Sequence, residues 1–183
     1  MMIQKTKTGF TLIETLIAIT LLMLAVIEPM ALTAQSLKSA YYARDQITAS
    51  SLAQEAIEAV RSVRDAQILE VAEDPSVSID IFGPIPVDKD FIIDTTTNAM
   101  AECTGACPPL QTNGTLYAYS AGWTNTGFTR TVRACYVQPV APFDCNGVAS
   151  DEMRLRATVV WRTGSYAARS IVISENLYRW VSN

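Results

Sequence analysis

Apolar residues run almost unbroken from Phe10 to Ala34, FTLIETLIAITLLMLAVIEPMALTA, with Glu14 and Glu28 as the acidic interruptions. At about 1.5 Å rise per residue, a helix over this block is long enough to cross a bilayer core of about 30 Å. Beyond it the pattern becomes amphipathic. Ala49, Leu52, Ala53, Ala56, Ile57, Val60 and Val63 share one helical face, and Arg44, Asp45, Glu55, Glu58, Arg61 and Arg64 supply the polar side. No glycine lies between Gly9 and Gly83. The spacing therefore predicts one helix from about Phe10 to about Arg64, roughly 80 Å long. Pro29 removes a hydrogen bond inside it, and two helices hinged there are the alternative.

From Asp74 onward prolines punctuate the chain and the period shortens to two. Met153, Leu155, Ala157, Val159 and Trp161 alternate with polar residues, which predicts a strand from Met153 to Arg162. Thr163-Gly164 makes a turn, and Ala168 to Leu177 is its expected hairpin partner. Leu116 to Trp123 and Phe128 to Val137 are expected as a second hairpin, turning at Asn125 and Gly127. Weaker strands are expected at Val77 to Phe82 and Phe91 to Asp94. A long helix followed by strand-length runs implies an α+β domain, the helix laid across an antiparallel sheet.

Composition narrows the chemistry. With 183 residues there is room for one ordinary domain. The formal net charge is -4 and no basic tract occurs, so nucleic acid is not an expected partner. Histidine is absent, which removes the commonest general base and the commonest metal ligand. Cys103, Cys107, Cys135 and Cys145 all lie in the second half, as suits disulfides formed in an oxidising compartment. Of the three possible pairings, Cys103–Cys107 and Cys135–Cys145 are preferred because each closes a loop containing Gly or Pro. A zinc site is the rival reading, and the wide spacing of the second pair disfavours it.

The apolar block has ordinary readings too. A secretory signal peptide needs a small-x-small cleavage site, and Ala31-Leu32-Thr33 is a poor one. A plain signal anchor would leave Glu14 reaching back to the membrane surface. Neither reading uses the residues before Phe10. Those read MMIQKTKTG, a short polar leader with Lys5 and Lys7 that ends in Gly9 and is followed at once by Phe10-Thr11-Leu12-Ile13-Glu14. This junction resembles the processing site of type IV prepilins and type II secretion pseudopilins.

The resemblance implies that a membrane prepilin peptidase cuts between Gly9 and Phe10 and that the new Phe10 amine is methylated. It implies that Glu14 pairs with the Phe10 amine of a neighbouring subunit and fixes register in a filament. It gives a division into a cleaved leader (1–9), a transmembrane and polymerisation helix (10–34), an amphipathic continuation (35–72) and a β-rich head (73–183). Lys5 and Lys7 hold the leader in the cytoplasm by the positive-inside rule, and their loss takes the formal charge from -4 to -6. The implied setting is the cytoplasmic membrane, single-pass, and then an extracytoplasmic filament. The partners are the peptidase, other pilin subunits and the assembly platform. The Val159 to Trp161 string and the apolar ending through Leu177 and Trp180 look like the minor pilin and minor pseudopilin branch.

Other constellations are weaker. Arg130, Arg133, Arg154, Arg156 and Arg162 are expected on polar strand faces, beside Tyr117, Tyr119 and Trp123. A solvated sheet face is preferred there over a single-strand nucleic acid surface. Asp88, Asp90 and Asp94, and the loop Asp144 to Gly147, offer acids but no EF-hand spacing. No metal, no cofactor and no catalytic residue is expected, since no nucleophile-base pair or phosphate loop is present. The leading expectation is a filament subunit, with a minor pseudopilin as its sibling. A membrane-anchored binding protein that never polymerises comes next, and an enzyme last.

Overall fold

The computed structural model describes residues 9–74, 76, 78–140, 144–145, 150–164 and 167–180. The leader lysines Lys5 and Lys7, the expected strand start at Val77, and Gly147 of the acidic loop lie outside the described residues. Helix α1 spans Leu12–Glu73 and contains Pro29. Seven strands follow: β1 (Asp90–Asp94), β2 (Ala99–Glu102), β3 (Pro109–Thr112), β4 (Tyr117–Ala118), β5 (Thr124–Tyr136), β6 (Glu152–Trp161) and β7 (Arg169–Tyr178). The helix continues through the polar run after Arg64 and ends one residue before Asp74. By contacts the chain falls into two units, Met1–Ala43 and Arg44–Asn183.

In the second unit an amphipathic helix face packs on an antiparallel sheet. Ala49, Leu52, Ala53, Ala56, Ile57 and Val60 are buried against Phe91, Ile93, Val132, Leu155 and Ala157. Alanines make up half of this helix side. Polar side chains then fix the helix laterally. Asp45 accepts from the Thr163 hydroxyl at 2.6 Å, Glu55 accepts from the Thr95 hydroxyl, and Arg61 binds Glu175 of β7.

β5 is the organising strand. One edge pairs along its length with β6, from Thr129↔Val160 to Tyr136↔Met153, and β6 pairs in turn with β7. The other edge is shared. Its C-terminal end meets β1 at Asp90↔Arg133 and Phe91↔Val132, and its N-terminal end meets β3. β2 extends β1, and β4 extends β3.

The β6–β7 hairpin lies where the alternation places it, and the strand at Phe91 to Asp94 is β1. Two expectations are corrected. Leu116 to Trp123 does not form a hairpin with Phe128 to Val137, because Asn125 and Gly127 lie inside β5 and β4 pairs with β3. The turn residues make a bulge there. β5 advances from Thr129 to Asn125 while β3 moves only from Pro109 to Gln111. Gly127 supplies the left-handed φ of 76°, and its N–H donates to Asn125 Oδ1 at 2.8 Å.

The second correction concerns Val77 to Phe82, whose described part, 78–82, forms no strand. Asp80 instead initiates successive turns. Gly83 N–H donates to its carbonyl at 2.8 Å, and Ile85 N–H donates to the Phe82 carbonyl at 2.9 Å. Pro84 and Pro86 lack the N–H groups that a ladder requires. Ile81 and Phe82 still enter the core.

Candidate functional site

In the described part of the N-terminal unit, the first turns of α1 leave their large apolar side chains exposed. Thr11 is the N-cap of α1: its backbone oxygen accepts from Glu14 N–H at 3.1 Å and from Thr15 N–H at 3.2 Å, and its hydroxyl accepts from Glu14 N–H at 3.4 Å. Thr11-x-x-Glu14 has the spacing of a capping box. Glu14 thus sits in the first turn, where a negative charge complements the positive end of the helix dipole. Gly9 and Phe10 precede the first helical residue, and the peptide between them is outside regular structure.

Every residue from Gly9 to Arg44 is exposed, including Phe10 at 80% and Leu12 at 82%. Ile13, Leu16, Ile19, Leu21 and Leu22 are all exposed, and at about 100° per residue they fall on every side of the axis, so no single stripe would cover them. A helix apolar on all sides is stable only inside lipid or inside an assembly. Among the described residues α1 is the one helix long and apolar enough to cross a bilayer.

The second unit holds a polar plug in its core. The register of β1 on β5, if continued past Phe91↔Val132, would set Ile93 opposite Arg130, but pairing stops there and β3 takes over the edge of β5. Arg130, fully buried, fills the fork. Its Nη2 donates to the Ile93 carbonyl at 2.7 Å and its Nη1 to the Leu52 carbonyl at 3.2 Å. Glu55 lies 3.5 Å from Nη1, while Nε finds no partner among the described residues. Tyr119 stacks its ring 6.0 Å from the guanidinium carbon and donates its hydroxyl to the Arg130 carbonyl at 3.3 Å. Burial pushes the Tyr119 phenol up, against the opposing charge of Arg130.

Asp94 closes the same fork. Burial works to raise its carboxyl, but the Thr96 hydroxyl and N–H, the Tyr119 N–H and the Arg130 charge outweigh it and hold Asp94 below the usual carboxylate range. The expectation that Arg130 stands on a polar face is therefore wrong. It shares strand parity with Phe128, Val132, Ala134 and Tyr136, all facing the core, whereas Arg133, Arg154 and Arg156 do face outward.

The cysteines form two disulfides. Cys103 and Cys107 have Cα atoms 5.2 Å apart, and Cys135 and Cys145 have theirs 5.4 Å apart, both within the ordinary span. The first staples the connection between β2 and β3, and the second ties the segment after β5 back to that strand. Among the described residues no group of three or more Asp, Glu or Cys is arranged to hold a metal.

A capped apolar helix with exposed side chains, joined in sequence to an α+β head, defines the class: an α+β protein whose N-terminal helix is long and apolar enough to cross a bilayer. Residues 4–27 match the family described as the prokaryotic N-terminal methylation motif, so the chain carries the prepilin signal of type IV pilin-like proteins. No curated protein and no solved structure matches the chain.

Proposed function

We propose that this prepilin-type protein is a minor subunit of a type IV pilus-like filament, cut between Gly9 and Phe10 and assembled through its N-terminal helix. The observation that carries the reading is the methylation motif at residues 4–27 joined to a helix in which every residue from Gly9 to Arg44 is exposed. Cleavage would leave a cationic amine on Phe10, within reach of a membrane-embedded Glu14 on a neighbouring subunit. An isolated carboxylate in the bilayer is costly, whereas one paired with an amine is tolerated. The pair therefore selects one stagger between adjacent helices, and close helix packing supplies most of the remaining stability. The head lies on the outside, with its disulfides formed after export.

The role of Glu14 has a direct test. Glu14→Ala should be processed normally and remain in the membrane while its recovery in sheared surface filaments falls by about tenfold or more, the worth of one desolvated charge pair. Equal recovery of the variant would remove Glu14 from assembly. Recovery in a secretion-dependent periplasmic filament, with none in surface pili, would assign the protein to the pseudopilins.

A further inference from the structure

The outer face of the sheet, away from α1, carries a cleft of about 530 Å³ lined by Arg133, Arg154 and Arg156, by Asp88 and Asp144, and by the Cys135–Cys145 disulfide. We infer that this cleft binds a sugar-sized oxyanion, a phosphate ester or a carboxylate on a hydroxylated body, with Arg156 as its principal ligand.

Three features of the cleft lead there. Arg133 and Arg156 are directly opposed across β5 and β6, and Cys135↔Arg154 is the next pair on that face. Like charges directly opposed in a sheet destabilise it, so retaining them is a local inconsistency of the kind that marks functional sites. Two of the three guanidiniums are held. Arg133 reaches Asp90 Oδ1 at 3.3 Å and the Asp88 carbonyl at 3.0 Å. Arg154 Nε donates to Asn176 Oδ1 at 3.3 Å, and Asn176 is itself anchored on Glu152 at 2.6 Å. Arg156 is exposed, and its guanidinium has no ion-pair partner among the described residues. One unengaged fork thus lies between two fixed ones.

Charge and size point the same way. Three guanidiniums face two carboxylates in the lining, a balance of +1 within a chain of formal charge -4. The planar forks suit bidentate contact with carboxylate or phosphate oxygens. The volume lies in the range of small-molecule sites, about 300–1,000 Å³, and a bare phosphate would leave most of it unfilled. The wall at Asp144 and Cys145 is tied to the end of β5. The disulfide joins it to β5, Val137 bridges to Cys145, and Gln138 N–H donates to the Asp144 carbonyl at 3.0 Å. The inference is independent of filament assembly.

Isothermal titration of the full-length protein in detergent micelles with glucose 6-phosphate, and separately with glucuronate, tests it. Saturable binding of either, weakened about tenfold or more by Arg156→Ala and largely restored by Arg156→Lys, is the expected result, a loss matching one charge-assisted hydrogen bond. The ligand that binds identifies the anion's source. No saturable binding of either up to about 10 mM, or an isotherm unchanged in Arg156→Ala, overturns it. Both substitutions fall on an exposed side chain, so loss of fold does not confuse the reading.

Discussion

Arg130 is the most deeply buried charged side chain among the described residues. Its guanidinium satisfies a β1 carbonyl and a helix carbonyl at the point where β1 leaves β5. Arg130→Ala should lower head stability by about 2–3 kcal/mol, the cost of losing charge-assisted bonds and stranding their acceptors, as read by denaturant unfolding. A loss below about 0.5 kcal/mol would show that water replaces the guanidinium freely. The alternation that places Arg130 inside was present in the sequence, since Phe128, Val132, Ala134 and Tyr136 share its parity. Charge overrode parity in the reading, because an arginine at a core position is rare and its partners come from remote elements. Asp94 belongs to the same plug. Its folded carboxyl is held below the ordinary value, so its contribution is fully present above about pH 4 and is lost as pH falls through the lower folded value. Acid titration of unfolding should therefore show a decline beginning below about pH 4, shallower in Asp94→Asn. An identical slope in the variant would assign the acid limb to other carboxylates.

Among the elements, α1 was legible because its apolar block runs without a glycine into an amphipathic stretch, and the β6–β7 hairpin because β6 has a single buried face. β5 was not. Asn125 and Gly127 carry the chemistry of a hairpin turn, and within thirteen residues of strand that same chemistry makes a bulge. Local propensity alone does not separate a turn that reverses the chain from one that kinks it, because the choice depends on what the neighbouring strand offers. Here β3 begins at Pro109, which sits where a strand tolerates proline, at its first residue. Gly127→Ala should cost about 1 kcal/mol from its left-handed backbone alone, since open space surrounds the added methyl. A neutral Gly127→Ala in thermal unfolding would mean the bulge relaxes without strain. The strands β2 and β3 were missed for a related reason: each has four residues, too few for any period to show.

For the whole molecule, the prepilin signal was more legible than the topology. The leader, the Gly9–Phe10 junction and Glu14 form a contiguous string, and its reading needs no tertiary information. The strand order needed the shared edge of β5, which no local pattern encodes. The exposed helix and the motif at residues 4–27 together make one demand, that the apolar surface from Phe10 onward be covered, and the proposed function adds that the leader is removed first. N-terminal sequencing with intact-mass analysis of the protein purified from native membranes tests this most directly. The account predicts a chain beginning at Phe10 with a methylated amine. A chain beginning at Met1, or beyond Thr33, would contradict it and leave an anchored or secreted binding protein in its place.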